Sequence, residues 1–188
     1  MRKKFGPQSW LYPMPVLIIG TYNEDGTANA MNAAWGNICD YTKITLTLDK
    51  THKTTANILA RKAFTVSPAT ESQLIPSDYV GIVSGTDVPD KFSRSGFTAV
   101  KSDKVDAPII EQLPMTLECR MISYDEDSEI LIGEVVDISI DDSVLAEDGK
   151  VDVTKLAPIS YDPVRAMYLK LGAVAGHAFR DGKQLQQD

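Results

Sequence analysis

Alternating apolar and polar positions along the chain predict a series of short β-strands. Residues 44–48 place three aliphatic side chains on one face and two threonines on the other, which is typical of a half-buried strand. The firmest alternation covers residues 116–121, and an acidic turn over 125–128 separates it from an apolar segment over 130–140. We therefore expect two antiparallel strands joined by this turn.

The first apolar segment of the chain predicts a β-hairpin. Residues 16–22 are apolar and rich in β-branched side chains, and residues 23–26 form an Asn-Glu-Asp-Gly turn whose glycine can adopt positive φ. The return strand should begin near Thr27. Two further strands are predicted over 63–67 and 164–171.

Two segments have the pattern of short helices. Residues 51–62 contain good helix formers and begin with hydroxyl residues that can cap the first turn, so a helix of about three turns is expected. Thr70 and Gln73 have the spacing of a capping box for a second helix, which Pro76 should break or restart. Residues 84–96 have no apolar period and many turn formers, and they are predicted to form a loop.

Many short strands and about two helices indicate a mainly β fold. The pattern favours an antiparallel β-barrel over a doubly wound sheet. A length of 188 residues, with 43% hydrophobic and 24% charged residues, is ordinary for a globular protein. We expect a single domain over 1–188, with a polar tail from about residue 176.

The net charge of −7 makes a nucleic-acid partner an unfavourable hypothesis. Binding a phosphate backbone requires a positive field over the contact face. Any phosphate that this chain binds must therefore be held by a local cluster of donors.

The metal-binding and redox side chains are few. Cys39 and Cys119 are far apart in the sequence and lack CxxC spacing, so both are predicted as small core residues. His52 and His177 are the two histidines, and no cluster of carboxylates accompanies them. We expect no metal site.

The beginning of the chain resembles a secretory signal only superficially. Three prolines interrupt its apolar stretch, no small-residue cleavage site follows, and no segment approaches the roughly 20 apolar residues of a membrane span. The cytoplasm is the expected compartment.

The segment Lys50–Thr54 is a candidate anion site. It concentrates two lysines, a histidine and two hydroxyl groups between a predicted strand and the predicted start of a helix. Free N–H groups and the helix dipole attract an anion there, and the side chains can complete its hydrogen bonds. A capped helix with solvated lysines explains the same residues, and the segment alone does not separate the two hypotheses.

Small and amide side chains over Asn29–Trp35 are unusual for an ordinary strand. They allow a planar heteroaromatic ligand to approach the backbone, but they also suit a tightly packed strand crossing. Trp10 and Trp35 are predicted to be core or interface aromatics rather than ligand-stacking residues.

Other catalytic motifs fit poorly. In the segment 81–85 the serine is one place late for a nucleophile elbow, and the chain contains neither a GxxxxGK[ST] loop nor a strand-linked GxGxxG motif. A serine hydrolase, a nucleoside-triphosphate enzyme and a Rossmann fold are therefore not indicated.

A series of short motifs follows in order along most of the chain. They are Tyr12-Pro13-Met14-Pro15, Gly20-Thr21-Tyr22, the segment 29–36, Lys53-Thr54 with Asn57, Ser84-Gly85 with Asp90-Lys91-Phe92, Asp106-Ala107-Pro108, the segment 117–120, the segment 132–135 and Tyr161-Asp162-Pro163. In this order and spacing the chain resembles the flavin-reductase-like family of FMN-binding split barrels, in particular its flavoredoxin-type branch.

The resemblance implies an antiparallel, Greek-key split barrel that forms a homodimer with FMN near the subunit interface. It implies that the Lys50–Thr54 segment holds the phosphate, that the ring lies along 32–35, and that the loop 84–92 is near the flavin or the substrate opening. The cofactor-binding residues it implies are Met31, Asn32, Ala33, Ala34, Trp35, Leu48, Asp49, Lys50, Thr51, His52, Lys53, Thr54, Ser84, Lys91 and Phe92. Many relatives carry an arginine in the phosphate segment, where this chain has lysine and histidine, so FMN affinity or orientation can differ.

The same resemblance implies a flavin-dependent oxidoreductase that passes electrons from NAD(P)H or a redox partner, through FMN, to a small acceptor or a partner protein. The flavin carries the chemistry, so no side chain is assigned a catalytic role. Two alternatives remain open at the sequence level: an FMN electron carrier without reductase activity, and a split barrel that binds haem or a deazaflavin.

Overall fold

The computed structural model describes residues 1–186 of the chain; the last two residues of the predicted tail, 187 and 188, lie outside it. The strands are β1 Met14–Pro15, β2 Leu17–Tyr22, β3 Ala28–Ala33, β4 Gly36–Asp40, β5 Lys43–Thr47, β6 Ala63–Pro68, β7 Ala99–Lys101, β8 Pro108–Ile110, β9 Met115–Asp125, β10 Ile130–Ile140, β11 Ile159–Asp162 and β12 Met167–Lys170. The helices are α1 Lys53–Arg61, α2 Leu74–Ile82, α3 Lys91–Arg94 and α4 Val153–Leu156.

Seven of the strands form one curled antiparallel sheet, which confirms the mainly β fold. Their order across the sheet is β3-β2-β6-β9-β10-β5-β4. The predicted hairpin is β2–β3, paired from Leu17 with Ala33 to Tyr22 with Ala28. The predicted long strands are β9 and β10, and they pair with two register shifts.

The curl of the sheet follows from the link between β3 and β4. These strands are consecutive in the chain but lie at opposite edges of the sheet, and only Ala34 and Trp35 separate them. A link of this length spans at most about 11 Å, so the two edges must come close together. The Thr47 amide donates to the Trp35 carbonyl (2.8 Å), which holds the link against β5.

Two smaller sheets pack beside the curled sheet. Strands β1, β11 and β12 form one of them, and β7 and β8 form the other. The final strand predicted over 164–171 is shorter and later than expected, because residues 163–166 form the turn of the β11–β12 hairpin.

The helices differ from the predictions in detail. Helix α1 begins at Lys53, two residues later than predicted. The capping box at Thr70 is wrong, since the Thr70 side chain accepts no bond from a backbone amide of the turn Glu71–Gln73, and its hydroxyl is paired with the Ser72 hydroxyl instead (3.1 Å). Pro76 agrees with the restart alternative, because the 3-10 turn Glu71–Gln73 is followed by α2, and Pro76 lies in the first turn of α2, where the missing N–H has no helical partner to lose. The predicted loop 84–96 contains the single-turn helix α3.

Two main hydrophobic clusters hold the molecule together. One fills the concave side of the curled sheet and includes Ile19, Leu46, Phe64 and Leu131. The other lies between the sheet, α2 and the β11–β12 hairpin and includes Val80.

Burial corrects the prediction for one cysteine and narrows the predictions for the two tryptophans. Cys119 lies in the core as expected, but Cys39 is exposed on β4, an edge strand. Trp10 and Trp35 are exposed in the single chain, which excludes the core position and leaves the interface position as a prediction. Among residues 1–186, no helix has the length and apolar character needed to span a membrane.

Candidate functional site

The first turn of α1 has no side-chain cap. His52 precedes the helix, but its side chain makes no hydrogen bond to the turn. The Thr51 hydroxyl, a predicted cap, instead donates to Asp49 Oδ1 (2.7 Å), as does the Thr51 amide (2.7 Å). The Lys50 amide donates to Glu129 Oε1 (3.2 Å). Of the predicted anion segment, the uncapped helix start is therefore the part that remains available to an anion.

A buried network fixes the start of α1 against the first hairpin. Asn29 Nδ2 on β3 donates to Thr54 Oγ1 (2.9 Å), and Asn57 Nδ2 donates to Thr21 Oγ1 (3.1 Å) on β2. Because Thr54 accepts in this bond, its hydroxyl proton is left for a further acceptor. The network thus places a hydroxyl donor at the helix start and holds it in position.

Gly85 allows two lysines to approach the same point. A Cβ atom at this position would lie 2.7 Å from Asn29 Oδ1 and 3.5 Å from both Lys53 Cγ and Lys91 Cε. At the first of these distances a Cβ atom would force the buried Asn29 side chain to move, so glycine suits this position. The loop after α2 therefore packs directly against both lysine side chains.

The two lysines line one small cavity of about 200 Å³. Its walls are the end of β3, the start of α1, the last turn of α2 and the loop after it. The lining residues are Met31, Asn32, His52, Lys53, Thr54, Val80, Gly81, Ile82, Val83, Ser84, Gly85 and Lys91. In a chain of net charge −7 this is a local concentration of cationic groups.

Lys91 is the buried member of this group, with 4% of its surface exposed. Its Nζ donates to the carbonyl oxygens of Val80 (3.1 Å) and Val83 (3.0 Å), at the end of α2. Burial lowers the pKa of Lys91 to about 8, because no carboxylate compensates the lost hydration. An anion in the cavity would stabilise the charged form.

Strand β3 presents different side chains to its two sides. Met31 and Ala33 face the main core of the curled sheet. Asn32 faces α2 and donates from Nδ2 to the Ser77 carbonyl (3.1 Å). The small side chains of β3 thus have two roles: on one side they pack in the core, and on the other they form one wall of the cavity.

The predicted cofactor residues divide into two groups. Those that line the cavity are Met31, Asn32, His52, Lys53, Thr54, Ser84 and Lys91. The others are Ala33, Ala34, Trp35, Leu48, Asp49, Lys50, Thr51 and Phe92, and the cavity does not include them. The side chains of Leu48 and Ala33 lie in the main core, so only their backbone could reach a ligand.

The last turn of α2 is the part of the site that the sequence did not indicate. Val80 to Val83 carry no polar side chain that would indicate a binding site, and they reach the cavity because α2 packs on β3. Gly85 carried a usable signal, since it stands in the Ser84-Gly85 motif next to the predicted Ser84.

Two other cavities adjoin the first. The larger, about 800 Å³, shares Lys53 and Gly85 with it, and its other lining residues include the acidic Glu24, Asp25 and Asp90. The second, about 360 Å³, shares Asn32, Gly81 and Ile82 with it. Within residues 1–186, no group of three or more His, Cys, Asp or Glu side chains is arranged to hold a metal ion.

The family of flavin reductase like domains matches residues 9–164, and the chain therefore belongs to this family. Family and fold together define a flavin-related redox protein with a split-barrel architecture. More particularly, its structure is similar to the flavoredoxin of Desulfovibrio vulgaris (Miyazaki F), with a TM-score of 0.93 and 37% sequence identity over 97% of this chain and 100% of that chain.

Two further solved structures support the assignment. A flavoredoxin from Methanosarcina acetivorans has a TM-score of 0.88 and 26% identity, with 98% of this chain and 99% of that chain covered. The FMN-binding domain of a flavin reductases-like enzyme from Shewanella baltica OS155 has a TM-score of 0.78 over 87% and 88% of the two chains. At 23% identity this last similarity shows the fold alone.

Proposed function

We propose that the protein is an FMN-dependent oxidoreductase that takes electrons from NAD(P)H or a redox partner and delivers them to a small acceptor or a partner protein. The observation that carries the proposal is the small cavity in which the uncapped start of α1, two lysines and the end of β3 converge. The membership of the chain in the flavin reductase like family supports it.

The residues at the helix start fit a phosphate group. The amides of the first turn and the positive end of the helix dipole attract an anion. Lys53 and Lys91 supply charge from two directions, and the Thr54 hydroxyl has a proton to donate. Lysines bind a phosphate as point charges, without the planar fork of an arginine.

The predicted ring position also fits the structure. The phosphate cavity continues along β3 to Asn32, and β3 leads into the link formed by Ala34 and Trp35. The amide of Asn32 is held by the Ser77 carbonyl, so its carbonyl oxygen keeps a fixed direction. We therefore assign the flavin ring to the backbone and side chains between Met31 and Trp35.

The charge of the larger neighbouring cavity favours FMN over FAD. Glu24, Asp25 and Asp90 line the larger cavity, which shares Lys53 with the small one. A second phosphate placed there would meet three carboxylates, which repel it at short range. The single phosphate of FMN avoids this contact.

When bound, the isoalloxazine ring supplies hydride and single-electron transfer. The chain itself binds the phosphate, orients the ring and surrounds it with fixed dipoles. No titratable residue of the site is required to transfer a proton to a substrate, and none is assigned a catalytic role.

A homodimer with FMN near its interface is part of the proposal. Trp35, Ile38 and Tyr41 are exposed apolar side chains at and just after the link between β3 and β4. A second copy that covered them would bury apolar surface beside the flavin ring. Sedimentation velocity of the wild type and of Ile38→Asp tests this: a dimer that becomes monomeric in the variant is expected, and a monomeric wild type contradicts it.

The visible spectrum of the purified protein tests the cofactor and the reaction together. A yellow protein that releases a compound with the mass of FMN, and that bleaches with NADH or NADPH under anaerobic conditions, is the expected result. Bound FMN that stays oxidised with both donors would instead favour an electron carrier, a function suggested by the similarity to flavoredoxins. Release of haem or a deazaflavin, or failure to bind added FMN, would overturn the proposal.

A further inference from the structure

Asn29 is a buried amide residue of β3 to which the proposed function gives no role. Only 2% of its surface is exposed, and it is not among the residues that line the small cavity. It therefore forms no part of the surface on which FMN is proposed to lie. Its hydrogen bonds nevertheless lead to Thr54, a residue of that surface.

The amide group of Asn29 has a defined orientation. Its Nδ2 donates to Thr54 Oγ1 (2.9 Å) and to Thr21 Oγ1 (3.3 Å). Its Oδ1 faces Gly85, where a Cβ atom would lie 2.7 Å from it. The amide thus presents its hydrogens to the two threonines and its oxygen to the loop after α2.

The two lysines of the cavity favour this orientation. The same point at Gly85 lies 3.5 Å from Lys53 Cγ and from Lys91 Cε, so the Asn29 oxygen is on the side of both cationic side chains. A side-chain amide dipole orients in the field of nearby charges, with its oxygen toward a cation. The flipped amide would direct its NH₂ group at the lysines and its oxygen at Thr54.

The orientation of the Asn29 amide decides where the proton of the Thr54 hydroxyl points. A hydroxyl that accepts a hydrogen bond from Nδ2 directs its own proton elsewhere. Because Thr54 lines the cavity, this proton is available to an acceptor bound there. With the flipped amide, the hydroxyl would donate to the Asn29 oxygen and present only lone pairs to the cavity, and these repel a phosphate oxygen.

We propose, on the basis of the proposed flavin site, that Asn29 is a positioning residue for phosphate recognition, which holds the Thr54 hydroxyl with its proton toward the cavity. Lys53 and Lys91 supply charge to the phosphate, and through the Asn29 amide they also align the hydroxyl. Asn29 thus contributes to the binding of phosphorylated flavins without touching them, and its contribution depends on the Thr54 hydroxyl.

The isosteric variant Asn29→Asp reverses the hydrogen bond to Thr54, because a carboxylate only accepts. It also adds a negative charge, which repels a phosphate whether or not the hydroxyl is present. A double-mutant cycle with Thr54→Val separates the two effects, with the Kd for FMN measured by fluorescence titration. Asn29→Asp should raise the Kd about tenfold more in protein that has the Thr54 hydroxyl than in the Thr54→Val background. Thr54→Ser keeps the hydroxyl and should keep the full effect of Asn29→Asp.

Asn57→Asp is the matched control for this cycle. Asn57 is also buried and also donates to Thr21 Oγ1 (3.1 Å), but its second bond goes to Asn23 Oδ1 (2.9 Å) rather than to Thr54. Its effect on the Kd for FMN should be the same with and without the Thr54 hydroxyl. Riboflavin, which has the same ring and no phosphate, is the matched ligand, and its affinity should not depend on the bond between Asn29 and Thr54.

If Asn29→Asp does not fold, Asn29→Ala takes its place in the cycle. It frees the hydroxyl instead of reversing its bond, so the difference between the two backgrounds should keep its sign and amount to about threefold or more.

An equal effect of the Asn29 substitution in both backgrounds overturns the positioning role. So does an equally strong dependence of the Asn57 effect on the Thr54 hydroxyl, which would mean that the network acts through its rigidity alone. Failure of the wild type to bind FMN overturns the proposed function and this inference with it, whereas FMN binding without the coupling overturns the inference alone.

Discussion

At the scale of single residues, Lys53 is the side chain whose loss should affect FMN most directly. It lies on the first turn of α1, packs against Gly85 and lines the small cavity. Lys53→Ala should weaken FMN binding by about 1 to 3 kcal/mol, or about 5- to 150-fold in Kd, because a charge-assisted bond is lost. Fluorescence titration with FMN measures the change.

Lys50→Ala provides the matched control for this titration. Lys50 is exposed, lies outside the cavity and has its amide bound to Glu129. Its removal should alter the affinity by less than that of Lys53. Equal effects of the two substitutions would mean that the lysines act only through the net charge, and an unchanged Kd for Lys53→Ala would remove that residue from the site.

The Ser77 hydroxyl is a buried polar group without a hydrogen-bond partner, so its removal should stabilise the protein. It is 1% exposed, and its hydroxyl makes no hydrogen bond within the described chain. Ser77→Ala should therefore raise the free energy of unfolding by about 1 kcal/mol, because a desolvated hydroxyl is removed. Urea denaturation measures the difference, and a loss of stability would mean that the hydroxyl has a partner, such as a buried water.

At the scale of elements, Lys91 joins α3 to the end of α2. Its pKa is about 8 in the folded protein against 10.5 for an ordinary lysine, so between these pH values the unfolded chain binds more protons than the folded one. Stability should therefore rise with pH across this window in the wild type relative to Lys91→Met. Urea denaturation of both proteins without added FMN, from pH 7 to 10.5, measures the difference.

If the free energies of unfolding of the wild type and of Lys91→Met change with pH in parallel, the Lys91 ammonium is hydrated and its pKa is ordinary. Saturation with FMN supplies an internal check on the same residue. A bound phosphate would stabilise the charged lysine and should reduce the rise in the wild type, while the curve of Lys91→Met should keep its shape.

The secondary-structure elements differ in how well the sequence predicts them. The strands with clear alternation or a clear turn, β2, β3, β5, β9 and β10, were found in place. Strands of two to four residues, such as β1 and β11, carry too few positions to show a period, and their pairing partner lies far along the chain. The capping box at Thr70 failed because the spacing of two side chains does not establish which hydrogen bonds they make.

The candidate site was predictable where its residues are local in the sequence. The start of α1 and the end of β3 each form a short segment of unusual composition. The contribution of α2 was not predictable, because an apolar helix turn becomes a cavity wall only through packing on a distant strand. Lys91 was included through family resemblance, and its burial and lowered pKa are properties that only the tertiary structure creates.

At the scale of the whole molecule, the proposed function depends on the closure of the curled sheet at Gly36. A Cβ atom there would overlap the Leu46 side chain and lie 3.0 Å from both Leu17 Cδ1 and the Thr45 carbonyl oxygen. Gly36→Ala should lower the free energy of unfolding by about 1 to 3 kcal/mol through overpacking and should also weaken FMN binding. Thermal denaturation and an FMN titration measure the two effects.

Gly172→Ala is the control for this substitution, since a Cβ atom at position 172 meets nothing within 4 Å. It should change stability by no more than about 0.5 kcal/mol. If the Gly36→Ala protein is destabilised but binds FMN normally, FMN binding does not depend on the closure of the curled sheet at this position.

The two-residue link between β3 and β4 also bears on the order in which the protein assembles. The sheet can close around this link only when β2, β6, β9, β10 and β5 have paired between its two edges, and some of these pairings, such as β10 with β5, join distant parts of the chain. The wall assigned to the flavin ring is built on this link. We therefore expect a newly made chain to lack a complete flavin pocket until β10, the last strand of the curled sheet along the sequence, has been synthesised and paired.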